Sequence, residues 1–149
     1  MRLAIVGGGG VRTPLLLQAL VERQERLGLD EVVLLDLDRE RLDLLAALCS
    51  PMGKGARFTV GWTTAARDAL EGADFVITTF RVGGMEARVV DERVPLAHGI
   101  LGQETTGPGG FAMALRSIPV LIEYLHLMRE CCPHAWLINF ANPAGMLAE

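Results

Sequence analysis

Residues 2–14 read RLAIVGGGGVRTP, and this stretch decides the fold class of the chain. The apolar run Arg2–Val6 stops at four glycines, a pattern typical of a buried parallel strand that ends in a tight turn. Thr13 and Pro14 then predict an N-cap and a first-turn proline for a helix that ends at Gly28. The opening of the chain therefore predicts a strand, a glycine turn and a crossover helix in succession.

The rest of the chain repeats this alternation of apolar strands and periodic helical segments. The alternation predicts an α/β fold with an open, doubly wound, mostly parallel sheet of the Rossmann-like, nucleotide-binding type. We find no linker and no repeat, so residues 1–149 are expected to form a single domain. The predicted strands cover 32–35, 57–62, 73–78 and 135–140, the predicted helices 41–49 (closed by Ser50-Pro51), 64–70, 85–97 and 111–130, and the predicted loop 98–110.

Composition narrows the possible classes of protein. With 149 residues, 50% hydrophobic and 21% charged, at a formal charge of −4, the chain can bury a core and is not basic enough to indicate nucleic-acid binding. Its uninterrupted apolar runs fall short of the roughly 20 residues of a membrane span, and we expect no secretory signal before the first strand. Cys49, Cys131 and Cys132 fit neither a disulfide framework nor a CxxC zinc pattern. We therefore expect a cytoplasmic protein without membrane or nucleic-acid partners.

The glycine cluster is the candidate cofactor site. In open α/β sheets, ligands bind at the carboxyl ends of the strands, and glycines there allow the backbone to approach a pyrophosphate at a helix N-terminus. The fingerprint is incomplete, because Arg12 or Thr13 stands where G-x-G-x-x-G has its third glycine. The candidate cofactor-binding residues are Gly7, Gly8, Gly9, Gly10, Arg12 and Asp36.

Asp36 predicts which dinucleotide is preferred. It ends the second strand, where a carboxylate accepts hydrogen bonds from the adenosine ribose of NAD and repels the extra phosphate of NADP. Asp38 could share this role, and Arg39 or Arg41 could instead bind a phosphate. The alternative is that the glycines make only a tight turn and that Asp36 caps the next helix.

A dense polar stretch follows at residues 80–110, with arginines and acidic side chains interleaved with glycines. Arginine offers paired donors to a phosphate or a carboxylate, and loops of this composition can close over a ligand. Taken singly, each of these residues could equally be a solvated or ion-paired surface residue. The stretch therefore marks a candidate substrate site without identifying the substrate.

Five sequence runs along the chain stand out together. They are IVGGG (5–9) with Thr13-Pro14, FRVGG (80–84) with Arg88 and Asp91-Glu92-Arg93, GQETTGPGG (102–110), ALRSIP (114–119) and NFANPAG (139–145). Taken together, these runs resemble the N-terminal part of the NAD- and manganese-dependent glycoside hydrolases of family 4, especially the 6-phospho-β-glucosidases. One departure is Gly10, where a serine is common in the family.

The resemblance implies a redox-assisted elimination, in which NAD+ takes a hydride from sugar carbon 3, a base removes the proton on carbon 2, and the aglycone leaves carbon 1. It implies that Arg88 contacts substrate and that Asn142 bonds the sugar hydroxyls near the metal. Glu104 is implied to raise the basicity of the catalytic tyrosine, and Arg81 to lie near the cofactor or substrate. The substrate would be a phosphorylated disaccharide or glycoside.

In the family, the metal-binding Cys and His and the tyrosine base lie beyond the Asn-Pro motif. We therefore expect no metal ligands within residues 1–149, and Mn2+ as the metal of the full-length protein. The only tyrosine, Tyr124, is predicted to be a packing residue within a helix, and the three histidines form no ligand cluster. The chain by itself is expected to bind NAD+ without turnover, and the full-length protein to be a homo-oligomer.

Two other functions fit parts of the pattern. An NAD-dependent 2-hydroxy-acid dehydrogenase of the lactate and malate type would share the glycine turn, the acidic strand end and an arginine-rich loop. A nucleotide-sensing module without catalysis would also share the cofactor site.

Overall fold

The computed structural model describes residues 1–50 and 55–149, which divide into two compact units. The first unit comprises Met1–Thr79 and Leu127–Ile138, and the second unit comprises Phe80–His126 and Asn139–Glu149. The elements in chain order are β1 (Arg2–Val6), α1 (Thr13–Leu27), β2 (Glu31–Leu35), α2 (Arg39–Cys49), β3 (Thr59–Thr63), α3 (Ala66–Leu70), β4 (Phe75–Thr78), α4 (Gly84–Ala97), α5 (Gly107–Cys131), β5 (Trp136–Asn139) and α6 (Ala144–Ala148).

The first unit is built on a Rossmann-like sheet with strand order β3-β2-β1-β4-β5. β1 pairs in parallel with β2 and β4, and β2 pairs in parallel with β3. Strand order reverses at β1, so the carboxyl end of β1 is the topological switch point at which such sheets bind ligands. The predicted fold class and the bounds of the first strand are confirmed.

Buried aliphatic side chains fix the position of β1 and β2 in this sheet. Four of five residues in each strand are buried, as expected of parallel strands covered on both faces. The largest of these side chains include Ile5 and Leu34, both with no exposed surface, and Leu42 of α2 packs in the same cluster. This burial makes the carboxyl ends of β1 and β2 a rigid support for the glycine turn.

The C-terminal ends of α1, α2 and α3 agree with the sequence predictions, but α2 begins at Arg39 rather than residue 41 and α3 at Ala66 rather than residue 64, and the helix caps also differ. α1 ends before Gly28 as predicted, but Thr13 is its first helical residue and not its N-cap, because the Thr13 hydroxyl donates to Gly8 O at 2.7 Å. The N-cap of α2 is Asp38, whose carboxylate accepts the Arg41 N–H at 3.0 Å. Pro51 of the predicted Ser50-Pro51 breaker lies outside the described residues.

The second unit contains α4 and most of α5. The predicted loop 98–110 is shorter than expected, since α5 begins at Gly107. Pro108 suits the first helical turn, where its missing N–H is not needed, and the surrounding glycines obscured this start. α5 has 25 residues and a mean hydropathy of 1.3 over its most apolar window, so length and composition alone would let it cross a membrane. Expectations from uninterrupted apolar runs overlook this helix.

Candidate functional site

The glycine turn of the first unit is held by the ends of β2 and β4. The N–H groups of Gly7 and Gly8 both donate to Leu35 O, at 2.9 and 2.8 Å. The Thr79 hydroxyl, directly after β4, donates to Gly7 O at 3.0 Å. The turn therefore sits at the switch point of the sheet, before the N-terminus of α1.

Two of these glycines leave no room for a side chain. A Cβ on Gly8 would lie 2.8 Å from the Leu34 Cβ, and a Cβ on Gly9 would lie 2.6 Å from Asp36 Oδ2. Only glycine therefore allows the turn to pack this closely against β2 and the residue that follows it. A bare backbone before the 15-residue helix α1 is the arrangement that accepts a pyrophosphate, so the residues fit a dinucleotide.

Asp36 is bonded to the turn rather than to a helix end. Its Oδ2 accepts the Gly9 N–H at 2.8 Å, and its Oδ1 accepts the Asp38 N–H at 3.1 Å. The alternative that Asp36 caps the next helix is wrong, because Asp38 fills that role. Since each carboxylate oxygen has two acceptor sites, both oxygens of Asp36 keep a site for a ribose hydroxyl.

The arginines near this turn differ in their partners. Arg39 Nε lies 2.9 Å from Asp43 Oδ1, and Arg41 Nε lies 3.0 Å from Asp38 Oδ2. Both guanidinium groups are thus ion-paired with nearby carboxylates, and both pairs are exposed to solvent. Arg12 is exposed and directly precedes α1.

A second polar cluster lies in the second unit around Glu104. Glu104 Oε1 is 2.5 Å from Arg81 Nη2, and Glu104 Oε2 is 3.3 Å from Arg88 Nη1. The Asn142 Nδ2 group donates to Glu104 Oε1 at 3.5 Å. Four residues that the sequence analysis singled out separately are therefore brought together at one carboxylate.

The cluster keeps Glu104 ionised. Desolvation raises the pKa of Glu104, whose side chain is only 18% exposed, but Arg81, Asn142 and Arg88 together outweigh this effect. The pKa of this carboxyl consequently lies below its ordinary value. Glu104 is thus a carboxylate at neutral pH, held between two cations.

Arg81 retains a donor that the cluster does not use. Within the described residues, its Nη1 is buried and has no hydrogen-bond partner. A buried guanidinium N–H without an acceptor is costly, so an oxygen atom of a bound ligand would stabilise it. This donor points to a ligand that presents phosphate or hydroxyl oxygens.

The structure also adds residues that the sequence analysis did not assign to the site. Glu92 accepts the Arg88 Nε–H at 2.7 Å, and Arg116 forms a two-point ion pair with Asp91. The spacing of Arg88 and Glu92, four residues apart on one helix, is the signal that could have indicated the first pair. The second joins residues 25 positions apart, which no local pattern reveals.

Within residues 1–50 and 55–149, no group of three or more His, Cys, Asp or Glu residues is arranged to hold a metal ion.

Tyr124 packs its ring against Phe80, with ring centroids 5.8 Å apart. Asn142 is joined to Pro143 by a cis peptide bond.

Comparison with known sequences finds a family that matches nearly the whole chain. The sequence profile of the family 4 glycosyl hydrolases matches residues 2–149. A 6-phospho-beta-glucosidase of Escherichia coli is 43% identical over 153 aligned positions, which cover all of this chain and 34% of that protein. The chain thus spans about a third of the length of the curated relatives it matches.

Solved structures show the same likeness. The 6-phospho-beta glucosidase of Thermotoga maritima, solved with NAD and glucose-6-phosphate, has a TM-score of 0.92 and 39% identity over 97% of this chain and 35% of its own. A 6-phospho-alpha-glucosidase from gut microorganisms, solved with NAD and Mn2+, has a TM-score of 0.93 and 35% identity over 99% of this chain and 34% of its own.

The dehydrogenase alternative is not favoured by these comparisons. A lactate dehydrogenase from Eimeria maxima shares the fold at a TM-score of 0.62, but only 20% of its residues are identical over 99% of this chain and 38% of its own. That likeness shows the fold alone.

Proposed function

Because this chain belongs to glycosyl hydrolase family 4, we propose that it is the nucleotide-binding part of an NAD-dependent 6-phospho-glycosidase, specifically a 6-phospho-β-glucosidase. The observation that carries the proposal is the cluster in which Glu104 lies between Arg81 and Arg88 and accepts a hydrogen bond from Asn142. The proposed reaction is oxidation at sugar carbon 3, proton removal at carbon 2 and elimination of the aglycone, followed by addition of water at carbon 1, return of the proton to carbon 2 and reduction at carbon 3, so that it is redox-neutral overall.

The cofactor would lie against the glycine turn. Gly7, Gly8, Gly9 and Gly10, with Arg12 before α1, would hold the pyrophosphate, and Asp36 would accept the ribose hydroxyls. The close approach of Gly9 to Asp36 supports this placement, because a side chain at Gly9 would clash with the carboxylate proposed to bind the ribose. When bound, NAD+ supplies the hydride acceptor for oxidation at carbon 3.

Each residue of the Glu104 cluster has a distinct proposed role. Arg88 and Asn142 contact the substrate, and the unused Nη1 donor of Arg81 bonds one of its oxygens. Glu104 raises the basicity of a tyrosine outside residues 1–149 through its negative charge. The two arginines keep that charge in place by lowering the pKa of Glu104.

The metal and the base are proposed to come from outside residues 1–149. The described residues do not fit a metal site, and Tyr124 packs on Phe80. We therefore expect the 149-residue chain to bind NAD+ without turning over substrate. The full-length protein is expected to require Mn2+, to be a cytoplasmic homo-oligomer without nucleic-acid or membrane partners, and to act on phosphorylated disaccharides or glycosides.

The choice of substrate is tested on the full-length gene product with four nitrophenyl glycosides. They are the 6-phospho-β-glucoside, the 6-phospho-α-glucoside, the 6-phospho-β-galactoside and the unphosphorylated β-glucoside. The proposal expects the highest kcat/KM with the 6-phospho-β-glucoside and no measurable release from the unphosphorylated control. Preference for the α-glucoside would contradict the anomer, and release from the unphosphorylated compound would contradict the phosphate requirement.

A further inference from the structure

An ion pair between Arg116 and Asp91 in the second unit lies outside the proposed substrate contacts. Arg116 of α5 donates from Nη1 to Asp91 Oδ1 at 2.8 Å and from Nη2 to Asp91 Oδ2. The Asp91 side chain is only 5% exposed. A two-point Arg–carboxylate pair fixes orientation as well as distance, so this pair locks α4 to α5 at one angle.

Arg116 also reaches the segment that carries Arg81. A Cβ on Gly83, the N-cap of α4, would lie 3.6 Å from Arg116 Nε. Gly84 N donates to Arg81 O at 3.2 Å, so Arg81 belongs to the turn that enters α4. The guanidinium of Arg116 thus lies beside the turn that presents Arg81.

Asp91, the other half of the pair, lies close to the parts of the chain that carry Arg88 and Glu104. Arg88 lies one helical turn before Asp91 on α4. The segment that carries Glu104 runs directly over the same part of α4, since a Cβ on Gly102 would lie 2.1 Å from Glu92 O. A Cβ on Gly109 would likewise lie 3.0 Å from Asp91 O. Glycine at both positions lets the segment pack directly on the helix backbone.

From these contacts we propose that Asp91 and Arg116 are positioning residues, which hold Arg81, Arg88 and Glu104 in the geometry that binds and activates the substrate. Neither residue contacts substrate in this account, so both act through the cluster. The inference rests on the proposed function for its kinetic consequences but not for its structural ones.

The kinetic test compares full-length wild type with Asp91→Asn and Arg116→Gln. Asp91→Asn removes the negative charge at constant size, and Arg116→Gln removes the positive charge together with the guanidinium fork. We expect the KM for nitrophenyl 6-phospho-β-glucoside to rise and kcat to fall, with a combined loss in kcat/KM on the order of 10–100-fold. The Kd for NAD+ should stay within about twofold, because the glycine turn belongs to the first unit. Arg116→Lys should recover part of the loss, since lysine keeps the charge but not the two-point fork.

Glu130→Gln is the matched control. Glu130 accepts a hydrogen bond from Arg67 at 2.6 Å, and this Arg–carboxylate pair joins α5 to α3 in the first unit. Its removal should leave KM and kcat unchanged. Folded Asp91→Asn and Arg116→Gln proteins with wild-type KM and kcat would overturn the inference. A parallel loss of NAD+ binding would also overturn it, because the pair would then support the fold in general.

Crystal structures of the wild type and Asp91→Asn give a second readout that needs no activity. We expect the separation of Arg88 Nη1 from Glu104 Oε2, 3.3 Å here, to exceed the ~4 Å limit of an ion pair in the variant. If Asp91→Asn keeps the wild-type separation between Arg88 and Glu104, the inference is overturned, even when the wild-type enzyme is active. A wild type without any glycosidase activity would instead overturn the proposed function and leave this structural comparison decisive.

Discussion

The carboxylate of Glu104 lies 2.5 Å from the guanidinium of Arg81, and the two residues come from opposite sides of α4 in the sequence. Arg81 engages Glu104 through Nη2, while its buried Nη1 has no partner within the described part of the chain. One arginine therefore pairs with an acidic residue and still carries a donor that has no partner among the described residues. This relationship joins the electrostatics of the cluster to its proposed substrate binding.

Removal of the Glu104 charge is expected to slow catalysis more than it weakens binding. Glu104→Gln keeps the size of the side chain, but it leaves Arg81 and Arg88 without their carboxylate and takes the negative charge from the proposed tyrosine base. We expect kcat to fall on the order of 10²-fold or more in steady-state assays of the full-length protein. Glu86→Gln, at an exposed position of α4, is the control and should retain wild-type kcat.

Arg81 is expected to set the acid limit of activity. Because the folded-state pKa of Glu104 is lowered, its ion pairs are complete above the ordinary carboxyl pKa, persist below it, and are lost only as pH falls through the lowered value. In Arg81→Gln, desolvation of Glu104 loses its main opposing interaction, so its pKa should rise. The acid limb of the kcat–pH profile should therefore move to higher pH. An acid limb at the wild-type position would contradict the role of Arg81.

The glycine turn is expected to tolerate no side chain at Gly9. In Gly9→Ala, the new Cβ would lie 2.6 Å from Asp36 Oδ2, so the turn or the carboxylate must move. We expect calorimetric titration to show NAD+ binding weakened about tenfold or more, equivalent to ~1.4 kcal/mol. Gly61→Ala in β3, whose Cβ would make only ordinary contacts at 3.8 Å, should bind NAD+ as the wild type does.

Asp36 and Asp38 are expected to separate cofactor choice from stability. Asp36→Ala removes the acceptor at the strand end and should reduce the preference for NAD+ over NADP+, measured as the ratio of the two Kd values. Asp38→Ala removes the N-cap of α2 and should lower the unfolding free energy by about 0.5–2 kcal/mol without changing that ratio. If only Asp38→Ala changed the ratio, cofactor choice would depend on Asp38, and the role proposed for Asp36 would be wrong.

Local patterns account for what the sequence predicts correctly. β1 and the end of α1 follow from an apolar run before glycines and from Gly28, signals contained within a few residues. The local pattern does not decide the N-cap of α2, because Asp36 and Asp38 both precede the helix and only the hydrogen bond from the Arg41 N–H to Asp38 distinguishes them. Boundaries set by such hydrogen bonds are not visible in the residue pattern.

In the candidate site, local motifs identify the individual residues, but the contacts between them depend on the fold. Arg81, Arg88, Glu104 and Asn142 were each identified by motif, but their meeting at one carboxylate depends on packing between segments up to 38 residues apart. The Asp91–Arg116 pair was not assigned at all, since its two halves lie on different helices. Long-range pairing of this kind requires the fold before it can be seen.

The most direct test of the account follows nitrophenol release and NADH absorbance together in the full-length gene product, with nitrophenyl 6-phospho-β-glucoside as substrate. The account predicts that release requires both NAD+ and Mn2+ and that no net NADH accumulates. Absence of release, with steady NADH accumulation from a 2-hydroxy acid, would contradict the account. That result would also remove the substrate roles proposed for Arg88, Glu104 and Asn142.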